Sequence, residues 1–248
     1  MKAQFGEAWE RLFHPPVAHR GLWSADGPPE NSLAAFHAAC QAGYGIELDV
    51  QLSADGEAMV FHDDDLERLT GATGRIRDRT AAELAELRLA GSDEAIPTLL
   101  ETMALIGHRA MVYVELKTPY GEVGGLEQRV HDILIDHAGP VGVIGFNPYS
   151  HAWFADRFPG LLRGLNSYDY RHAPHLAIEQ RQSFARLEQV DLAQPHFLAL
   201  SLDVICEAPA TRLRAEGMPI VAWTVRAPSE WDSLKGHCDN LIFEGFTA

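Results

Sequence analysis

Residues 45–62 read GIELDVQLSADGEAMVFH, and their alternation decides the fold. Glu47 and Asp49 share one face of a strand, Gly45–Val50, while Ile46, Leu48 and Val50 share the other. The Asp55-Gly56 pair that follows is a hairpin signal, so Ala58–His62 is expected to return antiparallel. Folding about Asp55-Gly56 sets residues whose numbers sum to about 111 opposite one another, which places His62 across from Asp49.

Similar apolar runs recur on either side: Val17–Arg20, Met111–Lys117, Val141–Phe146, Leu161–Asn166, Phe197–Asp203, Ile220–Val225 and Leu241–Glu244. Helix-length segments separate most of them. In Asn31–Ala42, Leu33, Phe36 and Cys40 fall at helical spacing after an Asn31/Ser32 cap, and Leu126–His137 is a second example. With Gly45–Val50 this makes eight strand–helix units, so the α/β reading is a (β/α)8 barrel in preference to a doubly wound sheet. No low-complexity linker divides the 248 residues, and a single domain over 1–248 is expected. Asp63–Pro97 forms no clear βα unit and reads as an insertion over one end of the barrel.

Lys and Arg total 20 against 35 Asp and Glu, and the resulting charge of −15 is the wrong sign for a protein that neutralises nucleic-acid phosphates. A phosphorylated ligand therefore needs a local cationic pocket. Cys40, Cys206 and Cys238 are odd in number and far apart, which suits a reducing cytoplasm. The start, MKAQFGEAWERLFHPP, has no apolar core of a signal peptide, and no stretch approaches the roughly 18 apolar residues of a membrane span. The expectation is a soluble, cytoplasmic chain.

Met111–Lys117 repeats the alternation, with Glu115 and Lys117 on one face. Glu47, Asp49 and Glu115 are thus expected to converge in a barrel mouth, at a cost in repulsion and desolvation that a hard divalent ion, Mg2+ or Ca2+, offsets. For any single carboxylate an ordinary ion pair is an equal reading, but the doubled i, i+2 pattern weakens it. Ala18-His19-Arg20-Gly21 ends the first strand and His62-Asp63 ends the return strand, which puts two imidazoles near three carboxylates as a general acid and base. Arg20 and Lys117 are candidate anion-binding cations. Trp223 suits equally a core aromatic or a wall against substrate. His14, His37, His108, His131, His137, His151, His172, His175, His196 and His237 read as surface residues.

The chain resembles the glycerophosphodiester phosphodiesterases. The likeness runs through His19-Arg20-Gly21, Pro29-Glu30-Asn31-Ser32, Ala35-Phe36, Glu47-Leu48-Asp49-Val50, Asp55-Gly56, Val60-Phe61-His62-Asp63, Leu66-Glu67-Arg68-Leu69-Thr70, Ile96-Pro97-Thr98-Leu99, Glu115-Leu116-Lys117 and Ala222-Trp223-Thr224-Val225. It implies a distorted TIM barrel with an inserted segment and metal ligands at Glu47, Asp49 and Glu115. It implies an acid–base pair at His19 and His62, phosphate contacts from Arg20 and Lys117, and a brace of the first βα loop by Glu30 and Asn31. The chain departs from the family at Gly145-Phe146, where Ser-Phe is usual, and at Phe243-Glu244, where Thr-Asp is usual. The implied reaction is metal-dependent hydrolysis of small glycerophosphodiesters to glycerol 3-phosphate and an alcohol. A lysophospholipase D with an apolar groove around Phe146, Trp153 and Phe154, or a non-catalytic barrel binding a phosphorylated ligand, are the rivals.

Overall fold

The computed structural model describes residues 2–174 and 176–248 of the chain, so the reading of His175 lies outside the described residues. Among the described residues nine strands form: β1 (Val17–His19), β2 (Gly45–Leu52), β3 (Ala58–Val60), β4 (Val112–Leu116), β5 (Val141–Gly145), β6 (Leu162–Ser167), β7 (Phe197–Ser201), β8 (Ile220–Val225) and β9 (Asn240–Phe243). Eight are parallel and pair neighbour to neighbour, and β1 closes the ring by pairing with both β2 and β9. Helices follow most strands, and the result is a (β/α)8 TIM barrel.

Strand alternation sorts the core into two layers. Ile46, Leu48 and Val50 of β2, with Val112, Val114 and Leu116 of β4, face outward onto Phe36, Met103, Leu126 and Val130 of the helices. Inside, Val17, Tyr113, Ile144, Leu162, Phe197, Val221 and Ile242 fill the barrel, with Phe5 and Leu12 from the N-terminal segment packed against them. The helix Leu33–Ala42 begins as its cap residue dictates, with Ser32 Oγ accepting from Ala35 N, and ends at Gly43, whose φ is +78°. The second expected helix runs from Gly125 to Leu134 and stops short of His137.

β3 pairs antiparallel with the end of β2, but one residue off the expected register: Val50 faces Val60 and Leu52 faces Ala58. The turn centres on Asp55, because Ser53 N bonds Glu57 O and Gly56 takes φ +82° in a three-residue loop. Phe61 N accordingly donates to Asp49 O at 3.0 Å, and His62 is not paired opposite Asp49. The strand ends first. Gln51 Nε2 then donates to the carbonyls of Phe61, His62 and Asp63 at 3.1, 3.2 and 2.8 Å, which holds the chain at the barrel rim.

Residues 63–97 fold into short helical turns, Glu67–Thr70 and Ala81–Ala85 among them, around Leu66, Leu69, Ile76, Leu84, Leu89 and Ile96. This cluster seats on Met59 and Phe61, the face of β3 turned away from the main core. Not all of the histidines read as surface residues lie on the surface. His151 is fully buried beside Gly145 O at 3.0 Å, and His196 is held between Arg163 and the Phe5 ring. Burial holds both imidazoles down at about 4, so they stay neutral.

Gly164 marks the tightest contact in the sheet, since a Cβ there would meet the ring carbons of the fully buried Phe197 at 2.2 and 2.3 Å. Gly164→Ala is expected to overpack the barrel and cost about 1–3 kcal/mol of stability. Urea unfolding reads this as a lower midpoint with an unchanged slope, and an unchanged midpoint contradicts it.

Candidate active site

The barrel mouth holds a cavity of about 210 Å³ whose lining includes His19, Arg20, Glu47, Asp49, His62, Glu115, Lys117 and Trp223. These are eight of the ten candidate residues; Glu30 and Asn31 lie behind them. Glu47 and Asp49 project inward from β2 and Glu115 from β4, with Asp49 and Glu115 paired in register. One oxygen of each carboxylate lies within 4.8 Å of the others, and all three are buried.

The protein supplies partners to all but one part of this cluster. Asn31 Nδ2 donates to Asp49 Oδ2 at 2.9 Å and Asn166 Nδ2 to Glu115 Oε2 at 2.9 Å. Lys117 Nζ bridges Glu115 Oε1 at 2.9 Å and Asp49 Oδ1 at 3.2 Å. Glu47 Oε2 accepts from the backbone N–H of Arg20 at 3.0 Å, whereas the buried Glu47 Oε1 has no partner among the described residues. Desolvation, then repulsion from Asp49 and Glu115, pushes the Glu47 carboxyl well above the usual range. Burial also opposes ionisation of Asp49, but Lys117, His62 and Arg20 outweigh it and hold that carboxyl below the usual range. An all-oxygen donor set with one buried, orphaned oxygen fits a hard divalent cation.

Each imidazole has its own carboxylate. His19 Nδ1 lies 2.6 Å from Glu244 Oε2, and His62 Nδ1 lies 2.7 Å from Asp63 Oδ1. In both pairs the partner on Nδ1 fixes the ring and leaves Nε2 as the free proton site. Glu244 is also paired with Arg226 at 2.7 Å. Burial works against its charge, but the His19 and Arg226 contacts prevail and bring its pKa down to about 2. Asn166 and Arg226 escaped sequence reasoning, and Glu244 entered it only as a departure from the family's usual Thr-Asp. For Glu244 a signal existed: it follows β9 directly, at the same end of the barrel as His19, Asp49 and Glu115.

Glu30 Oε1 accepts from Arg20 Nη1 at 2.7 Å, and Asn31 N bonds Arg20 O at 2.9 Å, so both support Arg20 and the carboxylates from outside the cavity. Trp223 is anchored by its Nε1–H on Ala199 O at 2.8 Å and meets Phe146 edge-on at 5.6 Å, which makes it a wall of the cavity. Gly145 leaves Leu116 O undisturbed, since a Cβ there would lie 3.1 Å from it. The groove imagined around Phe146, Trp153 and Phe154 does not form. Phe154 is fully buried in the outer core, and Trp153 packs on His131 with Arg157 over its ring, away from the mouth where Phe146 stands.

The model of the glycerophosphoryl diester phosphodiesterase family matches residues 19–242. A glycerophosphodiester phosphodiesterase of Caldanaerobacter subterraneus subsp. tengcongensis is 30% identical over 91% of this chain and 92% of its own. Among solved structures, an Oleispira antarctica phosphodiesterase in complex with the product sn-glycerol-3-phosphate superposes with a TM-score of 0.80 at 27% identity, covering 96% of this chain and 94% of that one. The Thermotoga maritima glycerophosphodiester phosphodiesterase gives a TM-score of 0.72 at 29% identity, covering 93% and 94%.

The raised pKa of Glu47 has a consequence for stability. Below the unfolded-state pKa the carboxyl is protonated in both states and costs nothing; as pH rises above it, only the unfolded chain ionises freely, and the folded state loses stability. In chelator, Glu47→Gln is therefore expected to raise the melting midpoint at pH 7 and to leave it unchanged near pH 4, by about 2–4 °C for each kcal/mol relieved. Equal midpoints at pH 7 contradict the assignment.

Proposed function

This chain belongs to the glycerophosphoryl diester phosphodiesterase family and is a phosphodiesterase; we propose that it hydrolyses glycerophosphodiesters to sn-glycerol 3-phosphate and an alcohol, with His19 and His62 carrying the protons. One observation supports this above the rest: two imidazoles, each pinned at Nδ1 by its own carboxylate, line one small cavity with three converging carboxylates. That arrangement offers two fixed proton sites beside a place for a phosphate.

Glu47, Asp49 and Glu115 would hold a Mg2+ or Ca2+ ion, which when bound offsets their repulsion and stabilises charge on the phosphate. Arg20 and Lys117 bind phosphate oxygens, the first through its planar fork and the second as a point charge. Burial disfavours the charge on Lys117, yet Glu115 and Asp49 raise its pKa, so it is cationic at neutral pH. Trp223 and Phe146, in contact edge to face, supply an apolar part of the same lining. A cavity of this size takes a small polar diester, and its substrates are water-soluble deacylated phospholipids, in keeping with a cytoplasmic enzyme with three free thiols. Residues 63–97 select the alcohol half. A second cavity of about 260 Å³ shares Lys117 with the first and is walled by Asp64 and Arg77 of this segment.

The nucleophile is the 2-hydroxyl of the glycerol arm. Its effective molarity exceeds that of an external nucleophile, and one histidine removes its proton while the other protonates the departing alcohol. Water then opens the cyclic phosphate as the two imidazoles exchange roles.

Chelation is expected to abolish turnover. His19→Ala and His62→Ala each lower kcat by roughly 10²–10⁴-fold, more than they raise KM. Calorimetry in which Asp49→Ala or Glu115→Ala binds Mg2+ and Ca2+ as wild type does would remove the metal assignment. A diester of 1,3-propanediol keeps a terminal hydroxyl and lacks the vicinal one, so it should be hydrolysed far more slowly than glycerophosphocholine. Equal rates point to direct attack by water.

A further inference from the structure

Arg68 stands outside the cavity, on the single helical turn Glu67–Thr70 of the inserted segment, and its side chain is about half exposed at 47%. Its guanidinium is nonetheless spent on two carboxylates that each hold a residue of the site. Nε donates to Asp63 Oδ2 at 2.5 Å, while Nη1 and Nη2 donate to Glu30 Oε2 and Oε1 at 2.9 and 2.7 Å. Asp63 uses its other oxygen, Oδ1, to hold His62 Nδ1, and Glu30 Oε1 also accepts from Arg20 Nη1. The chain of contacts runs His62, Asp63, Arg68, Glu30, Arg20, and it joins the inserted segment to the first βα loop.

From this geometry we infer that Arg68 is a positioning residue, which through Asp63 and Glu30 sets both the His62 ring and the Arg20 fork; the inference rests on the proposed roles of those two residues. Three features favour a bridge over an ordinary surface ion pair. A guanidinium carries its donors in a rigid fork, so satisfying Glu30 through two nitrogens leaves Nε aimed at Asp63 in one orientation only. Glu30 faces two arginines, and its Oε2 is held by Arg68, so without Arg68 only the Arg20 contact on Oε1 orients it. The Arg20 side chain is held by Glu30 Oε1 at 2.7 Å while its buried Nε has no hydrogen-bond partner among the described residues, so the placement of its fork follows that of Glu30.

Rotation of Asp63 away from His62 frees the imidazole, and a misplacement of this order costs a proton transfer heavily. Arg68→Ala is therefore expected to lower kcat by roughly 10- to 100-fold through His62 and to raise KM severalfold through Arg20, with a melting midpoint close to wild type.

A double-mutant cycle on glycerophosphocholine hydrolysis tests this. In the His62→Ala background, Arg68→Ala should lower kcat no further. In the Arg20→Ala background it should raise KM no further. Arg68→Lys keeps the charge but reaches only one carboxylate, and should recover the smaller part of the loss. Losses that multiply in both backgrounds, or full activity in Arg68→Lys, overturn the assignment of Arg68 and leave the reading of His62 and Arg20 standing. Wild-type kcat in His62→Ala alone instead overturns the reading of His62, while the KM arm still decides for or against Arg68.

Discussion

Three carboxylates crowded into the buried mouth of a barrel repel one another, and the surrounding structure is organised by that repulsion. Two of them, Asp49 and Glu115, are relieved by Lys117, Asn31 and Asn166. Glu47 receives one backbone N–H and keeps a bare oxygen. The compensation is thus uneven, and the deficit sits where a cation with oxygen ligands fits. Lys117 and Arg20 remain charged in spite of burial because they face this cluster, and they in turn keep Asp49 ionised.

The strand pairs were legible because a period of two has no ambiguity when one face is apolar: Ile46, Leu48 and Val50 fix the direction of Glu47 and Asp49 without further information. The same logic placed Glu115 and Lys117. Register in the hairpin was less legible, since Asp55-Gly56 fits both a two-residue and a three-residue loop, and the difference of one residue displaced His62 from its expected partner. His151 was misread for a different cause. Its burial depends on the packing of the helix Pro148–Arg157 against β5, and no local pattern announces which face of a weakly amphipathic helix a histidine occupies. Asn166 was missed because its partner, Glu115, lies 51 residues away on another strand.

The two ends of the barrel are built on opposite principles. The interior below the site is filled by Tyr113, Ile144, Leu162, Phe197 and Val221, with Phe5 and Leu12 packed against them, whereas the mouth is lined by charge. Tyr113 and Glu115, two residues apart on β4, mark the change from one to the other. A closely packed base holds the strands, and so the carboxylates above it, in fixed relation to one another.

The histidines add a constraint that links chemistry to closure of the ring. His62 and Asp63 are neighbours in sequence, so that pair is brought together by the local turn held by Gln51, with Arg68 on the other oxygen of Asp63. His19 and Glu244 are 225 residues apart and meet because β1 and β9 lie side by side, joined by only two register pairs, Val17 with Ile242 and Ala18 with Phe243. The short seam that closes the barrel therefore also aligns an imidazole with its carboxylate. Fraying of the C-terminal strand would cost the first histidine its orientation before it cost the barrel its core, because Phe243 and Ile242 are packed from both sides while Glu244 hangs at the rim between His19 and Arg226. Of the two histidines, His19 depends on the closed barrel and His62 on the hairpin and inserted segment, so the cavity unites parts of the chain whose stabilities need not be the same.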